Sequence, residues 1–292
     1  MKDQLVRAFA ADGMIRAFAA STGGLAEEAR AIHNTTPVVT AALGRMLTAG
    51  VMMGAMMKNP EDRLTIKIDG AGPMRGVLVT ADCAGHVKGY PYENVVILPP
   101  NAKGKLDVSG AIGAGILTVI SDTGLKEPYV GQVELVSGEI AEDITAYLTE
   151  SEQVPSACAL GVLVDTDRSI KAAGGFIVQL MPGADEALIG KLEENIFLMD
   201  QLTTILDEDG PEAVFEQVLK GLEHHIVGEK EIEYRCYCSH ERVKDALRSI
   251  GREELGHIAA EGKDISVSCQ FCDRVYSFTP AEIRELADGE AE

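Results

Sequence analysis

The sequence predicts an α+β protein: a mixed α/β N-terminal domain, a helical acidic middle segment and a small cysteine-rich C-terminal domain. Three observations lead there. Strand-like runs and helical stretches follow one another without the regular alternation of a doubly wound parallel sheet. Residues 181–230 hold 12 acidic and three basic side chains, almost half of the chain's net charge of −20, and their apolar residues recur at helical spacing. Four of the six cysteines lie beyond residue 230. The expected domains are residues 1–182, 183–230 and 231–292.

The elements follow in order. Leu5–Phe9 and Met14–Phe18 flank Asp12-Gly13, a hairpin signal because glycine tolerates the positive φ of a tight turn. Leu25–His33 is helical. Thr36-Pro37 supplies an N-cap and a first-turn proline for a long helix to about Met57. Strand-like runs follow at Leu64–Ile68, Gly76–Thr80, Gly115–Ser121 and Val130–Val136, each bounded by Gly, Pro or Asp. Glu139–Thr149 has helical spacing, and strands at Ala157–Val164 and Gly175–Leu180 close the domain. From Ala184 to about Gly228 the pattern is helical: Leu188, Leu192, Ile196, Met199 and Leu202 form one stripe. Asp207–Pro211 breaks it, and Val214, Val218 and Leu222 form a second.

Composition excludes several roles. With 46 acidic against 26 basic residues, the chain lacks the clustered cations that nucleic acid or an anionic membrane surface requires. The most apolar run, Leu47–Met57, is shorter than the about twenty residues of a bilayer span, and the first residues do not form a secretory signal. A soluble, cytoplasmic protein is expected, with no nucleic-acid or membrane partner. In that reducing compartment its cysteines are ligands or redox sensors rather than structural disulfides.

Cys236-Tyr237-Cys238 and, thirty residues on, Cys269-Gln270-Phe271-Cys272 carry the strongest signal. Two close cysteine pairs can converge on one tetrahedral metal, and soft thiolates select Zn2+. Some sixty residues rarely bury enough core to fold unaided, so a metal staple fits. On spacing alone a permanent structural zinc site is the ordinary role, and a redox-switching site the sharper one. Cys83, in a turn, and Cys158, in an apolar strand, are small buried hydrophobes rather than nucleophiles, although His86 stands three residues from Cys83. His240 could replace a thiolate but is expected beside the site. His224-His225 face different sides of a helix and belong to the surface. Gly70–Met74 and Gly110–Gly115 lack the downstream residues of nucleotide loops and are turns or bulges. Met52, Met53, Met56 and Met57 form a soft face for core or interface, or an adaptable client surface. No catalytic constellation is present, so no enzyme is expected.

Glu233-Tyr234-Arg235-Cys236-Tyr237-Cys238-Ser239, with Glu241-Arg242, Asp245-Ala246-Leu247 and Cys269-Gln270-Phe271-Cys272, resembles the heat shock protein 33 family. Gly72-Pro73-Met74, Ser151–Pro155 and Ala172–Pro182 resemble it too, in order along the whole chain. The resemblance implies an ATP-independent holdase, inactive while reduced Cys236, Cys238, Cys269 and Cys272 hold one zinc. Oxidation then yields the redox-active disulfides Cys236–Cys238 and Cys269–Cys272, releases zinc and unfolds the C-terminal part. The active form, a homodimer, would protect unfolding client proteins during oxidative and heat stress, with client binding and dimerisation in residues 1–182.

Physical chemistry makes such a switch reasonable. Structural zinc contributes on the order of 10 kcal/mol to the folding of a small domain. Its loss would melt that domain and, with it, the acidic segment that needs a partner surface. That partner is expected to be the N-terminal domain, with the zinc unit acting as a clamp. Two other readings are a constitutive zinc-module adaptor and, with less support, a thiol-disulfide oxidoreductase using Cys269 and Cys272.

Overall fold

The hairpin forms around Asp12-Gly13: β1 (Gln4–Ala10) and β2 (Ile15–Ser21) are antiparallel, Gln4 opposite Ser21 and Ala10 opposite Ile15. Ala11, Asp12 and Gly13 all take positive φ, the backbone that matches the twist of paired strands. These coordinates are a computed structural model and describe residues 2–288. After the hairpin come helices α1 (Gly23–His33) and α2 (Pro37–Gly54). Then follow β3 (Arg63–Gly70), β4 (Gly76–Ala81), β5 (His86–Pro91), α3 (Val108–Ile112), β6 (Gly115–Asp122) and β7 (Tyr129–Glu134). α4 (Ala141–Ala146) runs into a wide turn over Tyr147–Ser151, and β8 (Ser156–Val164) and β9 (Ile170–Leu180) follow. The acidic segment forms α5 (Glu186–Leu198), α6 (Leu202–Glu208), α7 (Pro211–Val218) and β10 (His224–Glu231). β11 (Glu233–Tyr234), α8 (His240–Arg248), α9 (Arg252–Ala260), β12 (Ile265–Ser268), β13 (Val275–Phe278) and α10 (Pro280–Asp288) end the described chain.

Two sheets organise the first unit. One has the order β10-β1-β2-β9-β8, the other β11-β5-β4-β3-β6-β7. α2 touches β2, β8 and β9 of the first and β3, β4 and β5 of the second, so it lies between them. All its residues are buried except Pro37 and Arg45. α2 is long and apolar enough to cross a membrane by length and composition, yet its surface is spent on the protein interior. Glycines let the sheets approach: a Cβ on Gly50 would stand 2.7 Å from Val79 Cγ1, and one on Gly54 2.9 Å from the Asp82 carbonyl oxygen. Thr36 sits at the expected N-cap, but its hydroxyl donates to the Val96 carbonyl (2.7 Å) rather than capping the helix.

A second core lies on the other face of the first sheet. Leu192, Ile205, Leu206, Val214, Phe215 and Val218 of α5–α7 pack with Val6, Ala8, Ala17, Ala19, Phe176 and Val178. The apolar stripe of the acidic segment thus finds its partner on the N-terminal sheet. Asn195, buried in this layer, donates to the carbonyls of Val218 (3.0 Å) and Lys220 (2.9 Å), tying α5 to the end of α7.

Several expectations change. The helical pattern does not reach Gly228: His224–Glu231 is a strand on the open edge of β1, a partner no local window reveals. His224 and His225 therefore lie on a strand, His224 near Glu216 (3.6 Å) and His225 beside the Phe9 ring (centroids 6.4 Å). β5, with Gly89 and Pro91, and the two-residue β11 escaped a strand pattern. The glycine-rich stretches close on each other, Gly72 N–H donating to the Ile112 carbonyl (2.7 Å), but Val108–Ile112 is a helical turn capped by Asp107.

The chain divides into compact units between Arg235 and Cys236, five residues beyond the expected border, and residues 183–230 belong with 1–182. The reason is visible in β11. Tyr234 is buried and its hydroxyl donates to the Gly89 carbonyl (2.8 Å), which keeps the chain on the second sheet up to that point.

Asp143 organises the turn before α4. Its buried carboxylate accepts from the backbone N–H groups of Val136 (2.8 Å), Ser137 (3.0 Å), Gly138 (3.3 Å) and Ile140 (2.8 Å). Asp143→Ala leaves buried donors unpaired and is expected to cost about 2–3 kcal/mol. Urea unfolding measures it; a loss below ~0.5 kcal/mol would remove the carboxylate from this role.

Candidate metal centre

The second unit builds its site from two local geometries. Cys236-Tyr237-Cys238 lies outside helix and strand and runs into α8, where Ser239 caps the helix by accepting from Arg242 N–H (3.2 Å). Arg242 reaches back to donate to the Tyr237 carbonyl (3.1 Å), fixing the segment between the two thiols. Cys269 and Cys272 occupy the turn between β12 and β13, where Ser268 pairs with Val275. Cys269 N–H donates to Arg274 O (2.9 Å), and Cys269 O accepts from Cys272 N–H (3.3 Å) and Asp273 N–H (2.8 Å). Asp273 takes φ +54°, closing the knuckle.

All four sulfur atoms lie within 4.8 Å of one another, and all four residues are half-buried. Cys236 Sγ is 3.6 Å from Cys269 Sγ, and Cys238 Sγ is 3.4 Å from Cys272 Sγ. A tetrahedral ion with metal–sulfur bonds of about 2.3 Å separates its sulfurs by about 3.8 Å, so the arrangement fits one metal with little adjustment. The apolar support beneath is small: Leu247, Leu255, Ala259, Phe278, Ile283, Leu286 and Ala287.

The surroundings act differently on Cys238 than on Cys236 and Cys272. Burial opposes ionisation of Cys238, but a hydrogen bond from the Tyr276 hydroxyl (3.1 Å) and contacts with the other three thiols outweigh it, drawing Cys238 down to about 7. Burial, reinforced by the neighbouring thiols, pushes Cys272 up to about 12, and burial also raises Cys236. A metal entering such a site displaces protons, so its affinity falls in acid.

The structure brings Cys236, Cys238, Cys269 and Cys272 together and leaves the other candidates elsewhere. Cys83 donates to the Asn59 carbonyl (3.3 Å), while His86 engages Asp82 and Glu233 (both 3.3 Å). Cys158 packs on the α2 side of β8, where burial raises its thiol far above the usual range. His240 stacks on the Phe278 ring (centroids 4.5 Å). Met52 and Met53 are core, while Met56 and Met57 are half-buried and line a cavity of about 330 Å3. Sequence reasoning missed Tyr276; the alternation of Val275–Phe278 was the signal that could have placed a strand and its tyrosine there.

A two-sheet α+β unit followed by a separate four-thiol unit defines the class of protein. The family model described as Hsp33 protein matches residues 3–279. The 33 kDa chaperonin of Agathobacter rectalis is 52% identical over 98% of this chain and 100% of that protein. That of Lachnoclostridium phytofermentans is 49% identical over 98% of each. The solved structure of the 33 kDa chaperonin (heat shock protein 33 homologue) of Thermotoga maritima superposes with a TM-score of 0.91 at 36% identity, covering 98% of both chains. The chain belongs to the Hsp33 family.

Two outcomes test the centre. Tyr276→Phe removes the hydroxyl that donates to Cys238 Sγ (3.1 Å), so the folded, metal-loaded centre should give up its metal to a competing chelator several-fold faster; an unchanged rate would dissociate Tyr276 from the centre. Cys236→Ser should sharply lower bound metal, measured by elemental analysis, whereas Cys83→Ser should not.

Proposed function

We propose that this protein is a redox-regulated, ATP-independent holdase, inactive while Cys236, Cys238, Cys269 and Cys272 hold one Zn2+ and activated by their oxidation. The observation that carries the reading is the four-thiol cluster standing over a core of only a few apolar side chains. Family membership supports a chaperone role, since its relatives are named chaperonins. When bound, the zinc would supply folding free energy to the second unit, on the order of 10 kcal/mol.

The residues supply the switch. A peroxide converts a cysteine thiolate to a sulfenic acid that condenses with a second thiol, and the four gathered sulfurs place such a partner close at hand. Two disulfides remove four electrons, taken up by two peroxides, and disulfide sulfur no longer holds zinc. In the folded unit the short contacts are Cys236–Cys269 and Cys238–Cys272. Once the unit unfolds, proximity follows chain separation, and closing the shortest loops favours Cys236–Cys238 and Cys269–Cys272. The turn position of Cys269 and Cys272, away from a helix start, speaks against a thioredoxin-like oxidoreductase.

Unfolding then passes along the chain through β11 and β10 to α5–α7. Residues 181–230 carry a net charge of −9, and their helices depend on an apolar face for order. Their release uncovers Val6, Ala8, Phe176 and their neighbours to bind unfolding clients. The active form would be a homodimer in the cytoplasm.

Peroxide-treated protein should suppress aggregation of an unfolding client without nucleotide, and reduced zinc-loaded protein should not; full activity in the reduced state overturns the switch. Peptide mapping should find the two local disulfides, and Cys238–Cys269 or another bond between the two pairs as the main product would contradict local pairing. Hydrogen exchange should show residues 184–230 losing protection together with the second unit while most of 1–180 keeps it.

A further inference from the structure

We infer that the open edge of β8 is a groove that takes one extended apolar segment of an unfolding polypeptide as an added strand. This rests on the holdase reading and names a client surface for it. β8 is the last strand of the first sheet and pairs on one side only, with β9. Its residues Ser156–Val164 carry no charge, and an uncharged edge is a ready template for another chain. The opposite edge, β10, is guarded by Glu229, Lys230 and Glu231.

The start of β8 is covered: the Cys158 N–H points away from β9 and donates to Thr145 Oγ1 of α4 (3.1 Å). Alternation in an antiparallel ladder turns the N–H and C=O groups of Leu160 and Val162 the same way. Beside them lies a cavity of about 440 Å3, floored by Leu160–Val164. Arg45 of α2 and Leu106 wall one side, and Leu202 and Thr203 of α6 the other. Every β8 residue is consequently half-buried although the strand is an edge.

This shape selects the occupant. One extended chain fits, because a five-residue floor spans about 16 Å at about 3.3 Å per residue. Main-chain hydrogen bonds make such capture tolerant of sequence, while Leu106, Leu202 and the apolar floor favour apolar side chains between the polar Arg45, Lys105 and Gln201, which suits a protein holding many clients. α6 belongs to the segment proposed to melt, so activation would widen the groove.

The test uses oxidised full-length protein and a short peptide of alternating valine and threonine. Saturating peptide should slow exchange of the Leu160 and Val162 amides about tenfold or more and leave that of Cys158 unchanged. Val162→Pro removes an outward N–H without touching the β9 ladder and should weaken peptide binding about tenfold at unchanged zinc content in the reduced form. No binding, unaltered exchange at Leu160 and Val162, or wild-type affinity in V162P overturns the groove; should V162P not fold, exchange in the wild type decides. Aggregation suppression is scored in parallel. Suppression without protection of these amides overturns the groove alone, whereas absent suppression overturns the holdase reading and leaves the peptide result to decide the groove.

Discussion

Burial of α2 between two sheets is the constraint on which the first unit depends. A helix apolar on all sides has no stable existence at a surface, so each sheet must present it an apolar face. β1, β2, β8 and β9 supply one, and β3–β6 the other, through residues such as Leu5, Ile177, Ile66, Val79 and Leu117. Close packing leaves no slack around the helix, which is why glycines occur where Val79 and the Asp82 carbonyl press against it. Arg45 is its one charged residue, and that charge leaves the core by an ion pair with Glu139 (2.6 Å).

The second unit is stabilised differently. Its apolar cluster is a fraction of the first unit's, and it carries four half-buried sulfurs gathered within 4.8 Å of one another, a set that could hold a metal ion. The two units thus answer to different variables, one to burial and the other to thiol chemistry.

Between these extremes stands the acidic segment. Its helices are short, α6 and α7 having seven and eight residues, so they owe their order to the sheet face beneath them rather than to helix propensity. That face is built largely from alanines on β1 and β2, which allow close contact but offer little area to hold a layer in place. Such modest attachment suits the release proposed for this segment.

By itself the sequence determined what is local or covalent. Glycine placement marked the first hairpin, Thr36-Pro37 the start of α2, and apolar spacing the faces of α5–α7. Cys-x-Cys and Cys-x-x-Cys named the four residues that the structure gathers, because short spacing constrains where thiols can point whatever lies between. Tertiary structure alone decided the rest. Whether His224–Glu231 became helix or strand depended on the open edge of β1, some two hundred residues away in the chain. The unit boundary at Arg235 depended on the burial of Tyr234 against Gly89, and the low-lying Cys238 thiol on a hydroxyl from Tyr276. Strand pairing, burial and hydrogen bonding across long separations are energies of contact, and a contact has no value until both partners have been placed.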